Sequence, residues 1–501
     1  MRASLNDGLR MVIARCIHVA GVAFIALQQF RLSRFRCNQE RLARKYKRQL
    51  NPETEGKFAI TSGSTGDPKR ILYTTRRLRT FKLVFSDMFA RACRVFRIDR
   101  TSLYVFSSFA PDESLTSLLL EEVDLPNYLA TLQAPYRVQR HPAMCALAAE
   151  YGATAVRLWI LTIANPGVLY STNPSTLSTF FDELTNHWRE SSALIRNWCK
   201  DGKRFNADVR KIARRLDSIG SKQRLEAIAG SEEPVPISGW APALEAYICW
   251  TGGYVKPFLD RLQKYLPPTR YRLIPMFSMS TETVETLSYF QNNEVLFLPL
   301  APGVVYEFLD AETERLLGPG DLEPGKTYEM IVSDEYGLRR YRTNDLFLCR
   351  RKINGLPDLA FVRRRGLAYS FTGEKLTAEQ VSKVFEKLRS QYPIVFANNY
   401  LTCIPSLGVS GVPHYKLVVI GDRKLAASLD GLANRCDELL SEVNCEYRGK
   451  RTSGRLGAIT LLAIGTREFA ERFSPRGNWE SQFKFLPLCP HLVAHDEERV
   501  S

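Results

Sequence analysis

The sequence predicts a mixed α/β (α+β) protein, with a large N-terminal domain of sheets and helices and a smaller C-terminal α+β domain. Three observations carry that expectation. Short β-type runs alternate with longer helical stretches from residue 58 to about 360, the pattern of buried sheets covered by helices. The pattern restarts near Phe361 with its own helix–strand–helix–strand series. The chain has 501 residues at 45% hydrophobic and 24% charged, enough for two or three domains and ordinary for a globular protein. The expected organisation is a basic helical N-terminal extension (1–57), a large domain (58–360) and a small C-terminal domain (361–501).

The N-terminal segment combines an apolar run with a basic one. Met11–Phe30 is apolar but is interrupted by Arg15 and His18, leaving fewer uninterrupted apolar residues than the roughly 18 of a spanning helix. Arg31–Gln49 then carries eight basic residues against one acid. The leading expectation is a helix packed on the main domain with a solvated basic continuation. The alternative is a weak contact between this N-terminus and an anionic membrane surface. The formal charge of +16 suits nucleic acid, anionic membranes or anionic small substrates alike. No zinc-finger spacing, aromatic ribonucleoprotein pattern or helix-turn-helix supports nucleic acid. Eleven scattered cysteines without a C-x-x-C pair point to a reducing, cytoplasmic setting and away from a structural zinc site.

Along the large domain, Ser102–Ala110, Val156–Ala164, Tyr271–Ser280 and Glu294–Leu300 read as strands, and Ser175–Cys199 and Ala243–Trp250 as helices. In the C-terminal domain, Thr377–Tyr392 and Lys424–Val443 read as helices, and His414–Asp422 and Gly457–Gly465 as strands.

The chemistry begins at Thr61-Ser-Gly-Ser-Thr-Gly-Asp-Pro-Lys69, between two runs that read as the strands of a hairpin. Gly63 and Gly66 let backbone N–H groups turn inward without a Cβ clash. Inward N–H groups form an anion-binding concavity, to which Ser62, Ser64 and Thr65 add hydroxyl donors and Lys69 a charge. The set suits a polyphosphate. It is not a Walker A loop, because no Gly-Lys-Ser/Thr closes it. Such residues also dominate plain polar turns, so the loop needs partners elsewhere in the chain.

Hydroxyl and glycine residues followed by Pro-Lys resemble the phosphate loop of adenylate-forming enzymes, and that superfamily's other motifs follow in order. Ser278-Met-Ser-Thr-Glu282 resembles its aromatic-x-x-Ser/Thr-Glu motif, with Ser278 standing where an aromatic residue is expected and Phe277 one position early. Tyr341-Arg-Thr-Asn-Asp345 differs from Tyr-Arg-Thr-Gly-Asp only by Asn344, the residue that best tolerates a left-handed turn after glycine. Arg364 and Gly373-Glu-Lys-Leu376 keep the spacing of the interdomain hinge. Gln482-Phe-Lys484 stands where the superfamily carries its mobile C-terminal lysine. With Asn173-Pro-Ser175, the Gly252–Gly253 pair before a helix and Val305–Asp310, the chain resembles the auxin-responsive acyl-acid amido synthetases and their bacterial relatives. The resemblance runs from about residue 58 to 490.

The resemblance implies the adenylate-forming architecture with a mobile C-terminal domain that swings about Arg364–Gly366. It implies ATP and Mg²⁺ as cofactors, with a small carboxylic acid and an amine, typically an amino acid, as substrates. Ser62, Gly63, Ser64, Thr65, Gly66 and Lys69 would grip the β- and γ-phosphates, and Gly252 and Gly253 would admit the adenine. Thr281 would hold the α-phosphate, Glu282 the metal and Asp345 the ribose hydroxyls, while Arg364 would serve the hinge. Lys484 would neutralise charge developing at the α-phosphate. The alternatives are an adenylating ligase with a thiol acceptor, such as coenzyme A or a carrier, and a degenerate nucleotide-binding scaffold.

Overall fold

The computed structural model describes residues 2–47, 55–60, 69–109, 115–121, 128–371, 374–407, 412–421, 431–473, 485–489 and 494–495. It opens on a 32-residue helix, Arg2–Ser33 (α1), followed by Phe35–Lys47 (α2). Lys57–Ile60 (β1) and Arg70–Tyr73 (β2) pair antiparallel, so the predicted hairpin forms. Residues 61–68 between its strands lie outside the described residues. Thr75–Phe96 (α3) follows β2. The Thr74 hydroxyl caps it by accepting from the Arg77 N–H at 3.2 Å.

Four short strands, Leu103–Val105 (β3), Val168–Tyr170 (β4), Ala246–Cys249 (β5) and Arg272–Pro275 (β6), form a parallel sheet in that order. Parallel strands are covered on both faces and read as unbroken apolar runs, and β3, β4 and β5 are buried at every residue. That property defeats local pattern reading in two places. Val156–Ala164, expected as a strand, belongs to the helix Ala153–Ala164, buried from Thr154 onward and closed by Asn165 in the left-handed conformation. A short apolar run fits a buried helix as well as a strand, and tertiary packing decided. Conversely Ala243–Trp250, expected as a helix, contains β5, which is hydrogen-bonded on both sides.

The long helix expected over Ser175–Cys199 is broken into Pro174–Asn186, Trp188–Ser191 and Ala193–Asp201. His187 leaves helical geometry, and the Ser192 hydroxyl donates to the Trp188 carbonyl at 2.6 Å. Serine offers the backbone this alternative to the helical ladder. Asn173 caps the first piece through the Ser175 N–H, and Pro174 takes the first helical position.

Leu287–Gln291 (β7) and Glu294–Leu298 (β8) make a hairpin over Asn292 and Asn293, both with positive φ, as a tight two-residue turn requires. Val304–Asp310 (β9), Leu316–Leu317 (β10), Thr327–Asp334 (β11), Tyr341–Ile353 (β12) and Leu356–Arg364 (β13) form a five-stranded sheet in the order β10-β9-β11-β12-β13. One buried apolar cluster contains Val168 and Ile248 of the parallel sheet with Phe308, Tyr328 and Phe347 of this second sheet. The two sheets therefore share a core.

The described residues divide into two compact units, one before Arg363 that includes α1 and α2, the other from Arg363 onward, with which Lys69 groups instead of the 58–360 domain expected for it. The smaller unit begins with Ala368–Tyr369 (β14) paired to Leu376–Thr377 (β15). The helix Ala378–Gln391 follows, as expected over Thr377–Tyr392, and is opened by a capping box between Thr377 and Gln380. Tyr400–Leu407 (β16), Pro413–Ile420 (β17), Thr460–Ile464 (β18) and Ala494–His495 (β19) form a sheet in the order β18-β17-β16-β19. The helix Leu432–Val443 occupies the second half of the segment expected at Lys424–Val443, whose first residues lie outside the described residues.

Candidate active site

Open α/β sheets take ligands beyond the carboxyl ends of their parallel strands. Here β5 runs into Trp250–Gly253, and β6 into the Ser-Met-Ser-Thr-Glu segment. Residues 278–286 form a tight return loop. The Ser278 carbonyl accepts from the N–H groups of Glu285 and Thr286 at 3.0 and 3.1 Å, and the Ser278 N–H donates to the Thr286 hydroxyl at 3.0 Å. Ser280 N–H donates to the Thr283 carbonyl at 2.9 Å inside it.

The loop is fastened from outside through its main chain. The Tyr73 hydroxyl donates to the Thr281 carbonyl at 2.6 Å, and Arg77 donates to the Glu282 carbonyl. Arg77 is itself buried. It also donates to the Leu72 carbonyl at 2.9 Å, lies 4.0 Å from the Asp334 carboxylate, and rests on the Tyr73 ring 4.6 Å from its centroid. Asp334 in turn accepts from the N–H groups of Tyr336 and Leu338, both at 2.9 Å. Burial pushes its carboxyl above the ordinary range, against the pull of Arg77.

Asp345 arrives from the second sheet. Between β11 and β12 the register runs Glu329 opposite Leu346 and Ile331 opposite Arg342, so Met330 faces Thr343, Asn344 and Asp345 together. This bulge re-aims the strand, as bulges beside functional sites do. Asn344 sits at φ 59°, the left-handed conformation that its identity suggests. The Thr343 hydroxyl pins the bulge, donating to the Met330 carbonyl at 2.9 Å and accepting from the Asp345 N–H at 3.1 Å. Arg342 points elsewhere: it makes a bidentate pair, at 2.9 and 2.6 Å, with the fully buried Glu329.

The result is a group of carboxylates from different segments. Glu282 is nearly buried and accepts from the Tyr341 hydroxyl at 3.1 Å. Glu285, 2% exposed, shares a hydrogen bond with the Ser278 hydroxyl. Its carboxyl is pushed well above the usual range, first by burial and then by the neighbouring charges of Asp345 and Glu282. The sequence reading missed Glu285. Its signal was there: an acid three residues after Glu282 inside the apolar stretch Val284–Phe290. Ser278, which stands where an aromatic residue was expected, serves as the partner of Glu285.

Thr281, Glu282 and Asp345 are thus brought together. Gly252 and Gly253 follow the strand next to β6. A Cβ on Gly252 would meet the Phe361 Cβ and the Trp250 ring at 3.1 Å, and one on Gly253, at φ 66°, would meet the Phe361 ring at 2.9 Å. The glycine pair is therefore required by aromatic packing inside the protein. Lys69 is exposed immediately before β2, and Arg364 ends β13 two residues ahead of Gly366, whose φ is 87°. Ser62, Gly63, Ser64, Thr65, Gly66 and Lys484 lie outside the described residues.

The fold is the one seen in the acyl acid amido synthetases. The solved AtGH3.15 acyl acid amido synthetase in complex with 2,4-DB matches with a TM-score of 0.64 at 18% identity, covering 88% of this chain and 80% of that one. The chain belongs to the GH3 family: the family's N-terminal domain matches residues 40–271 and its central domain residues 297–364, together more than half of the sequence. It is similar to the indole-3-acetic acid-amido synthetase GH3.4 of Arabidopsis thaliana, 24% identical over 351 residues, which cover 64% of this chain and 57% of that protein. It is also similar to the jasmonoyl–L-amino acid synthetase JAR4 of Nicotiana attenuata, 28% identical over 250 residues, covering 48% and 37% respectively. The matches span less than two thirds of either relative.

Proposed function

We propose that the protein is an ATP-dependent ligase that joins a carboxylic acid to an amine, with an amino acid as the leading acceptor. A carboxylate oxygen of the acid attacks the α-phosphorus of ATP, pyrophosphate leaves, and an acyl adenylate remains. The amine nitrogen then attacks the acyl carbon and loses its proton, and AMP leaves. The observation that carries this reading is the convergence of Thr281, Glu282 and Asp345 beyond the carboxyl end of β6, in a chain of the GH3 family.

In this scheme the Thr281 hydroxyl binds the α-phosphate, and the Asp345 carboxylate accepts from both ribose hydroxyls. Glu282 is our candidate ligand for Mg²⁺. A hard oxygen donor fits that ion, and one carboxylate suffices when phosphate oxygens and water complete its octahedron. Bound there, the ion would offset phosphate charge. The glycine-rich segment from Ser62 to Lys69 takes the outer phosphates, Lys484 stabilises the charge developing at the α-phosphate, and Arg364 marks the hinge. We set the reaction in a reducing, cytoplasmic compartment, a choice supported by eleven cysteines that are all free.

The test is acid-dependent pyrophosphate release with ATP and Mg²⁺, with hydroxylamine trapping activated acyl groups, for the wild type beside Lys484→Ala and Asp345→Ala. Hydroxamate formed by the wild type and lost in both variants supports the scheme. Measurable ATP binding without hydroxamate from any acid overturns it in favour of a nucleotide-binding scaffold. Thioester formation with coenzyme A, without amide formation, overturns the amine acceptor.

A further inference from the structure

We propose that the outer face of α1 docks onto an anionic lipid bilayer, with the helix lying in the membrane plane at the boundary between headgroups and acyl chains. Surface helices usually turn their apolar side to the core and their polar side to water. Helix α1 departs from this: its inner face carries polar anchors beside Ala14, Gly21, Ile17 and Leu32, while much of its apolar surface stays outside. Its buried positions include Asn6, Arg10 and Gln28. Asn6 donates to the Asp217 carbonyl at 2.8 Å, and Arg10 to the Leu216 carbonyl at 2.6 Å. His18 bonds the Ile98 carbonyl at 2.9 Å, and Gln28 donates to the Ser288 carbonyl at 2.8 Å. Gln28 also accepts from the fully buried Arg91 at 2.7 Å.

The opposite face is apolar and open. Seven of the fourteen large apolar side chains exposed among the described residues lie on α1, from Leu27 at 39% to Val19 at 71%. Leu5, Val12, Val19 and Phe30 run in one stripe along a helix about 48 Å long. Ile219, 59% exposed, lies beside the N-terminal half, where its N–H donates to Asp7 at 2.9 Å. An exposed apolar stripe this long marks an interaction surface.

Charge selects the occupant. The one acid of α1, Asp7, is spent on Arg10 at 2.6 Å, and the exposed charges of the helix are Arg2 and Arg15. Arg94 of α3 is exposed beside Gly21, and α2 adds exposed Arg41, Arg44 and Lys45 against Glu40. An apolar stripe with exposed Arg2 and Arg15 on the same helix and Arg94 beside it, in a chain of net charge +16, matches an anionic interface. A second copy of the chain would bring the same positive charges together.

A spanning helix meets the same length and hydropathy test, but crossing the bilayer would break all four polar anchors of α1. It would also undo the packing at Gly21, where a Cβ would lie 2.5 Å from the Ala90 carbonyl oxygen.

The experiment is co-sedimentation of the full chain with vesicles of phosphatidylcholine containing phosphatidylserine, and with phosphatidylcholine alone. Val12→Glu and Val19→Glu run in parallel, and their melting temperatures report folding. The proposal expects pelleting with the anionic vesicles, reduced at high salt, and at least a tenfold loss in either folded variant. It is overturned if the wild type stays in the supernatant, or if folded Val12→Glu and Val19→Glu pellet like the wild type. A dimer in sedimentation velocity that Val19→Glu dissolves, with no vesicle binding, would assign the face to a second copy and overturn it too. Nitroxide labels on Leu5→Cys, Val19→Cys and Phe30→Cys, with the native exposed cysteines replaced by serine, should report one shallow depth. A profile that passes through the bilayer centre would overturn the in-plane geometry.

Discussion

Arg77 fastens β2, the Glu282 loop and Asp334, and replacing it with methionine tests whether that junction sets the site. Arg77→Met keeps an unbranched stem but deletes the donors to the Leu72 and Glu282 carbonyls and leaves the Asp334 carboxylate without its buried cation. Losing one partner of a buried ion pair costs about 3–5 kcal/mol. At the 4.0 Å separation seen here, the attraction at an effective dielectric near 20 is about 4 kcal/mol, so the two magnitudes agree. Asp334→Asn in the same background removes the stranded charge and keeps an acceptor for the N–H groups of Tyr336 and Leu338. The double variant should therefore be less destabilised than the sum of the singles by about 2 kcal/mol. Urea unfolding of the four proteins measures this directly. The sign with pH is also fixed. Burial raises the Asp334 carboxyl, so the native state favours its protonated form, and stability is lost as pH rises through the folded value. The penalty of Arg77→Met is thus smaller near pH 5 than near pH 8. A single variant within about 0.5 kcal/mol of the wild type, or a strictly additive cycle, would refute the reasoning.

Glu285 has a raised carboxyl for the same reasons of burial and neighbouring charge, so its contribution is present at low pH and fades as pH rises through its folded value. Glu285→Gln imitates the protonated form, and its melting temperature relative to the wild type should climb with pH. A difference that stays flat across the pH range would mean that Glu285 is ionised in the native state. Asn344 holds φ 59° at the bulge that delivers Asp345. Asn344→Val should cost roughly 1–2 kcal/mol and weaken ATP binding, whereas Asn344→Gly should remain near the wild type in both, as read by denaturant melts and nucleotide titration. Equal behaviour of the two variants would show that the left-handed turn does not position Asp345.

Features fixed by neighbours in sequence were legible from the letters. The β1–β2 hairpin, the helix after Leu376 and the left-handed Asn344 follow from turn chemistry and periodicity, which are local. Features fixed by distant contacts were not. The apolar run Val156–Ala164 becomes a helix, and Ala246–Cys249 within the run from Ala243 a strand, because each is buried throughout, where periodicity carries no information. The orientation of α1 was hidden for a related reason. Its composition gives the hydropathy, but carbonyls of residues 98, 216, 217 and 288 decide which face turns inward. At the site, the motif residues could be read one by one. Glu285 escaped because its meaning depends on Asp345, which the bulge in β12 brings from sixty positions away.

The return loop after β6 is held by its carbonyls: Tyr73 grips the one at Thr281 and Arg77 the one at Glu282. Every amino acid has that oxygen. At those two positions the trace of the loop is insulated from the identity of the side chain, whereas at Ser278 and Thr286 the side chains themselves hold it. Positions 281 and 282 can therefore change their side chains while the scaffold keeps its path.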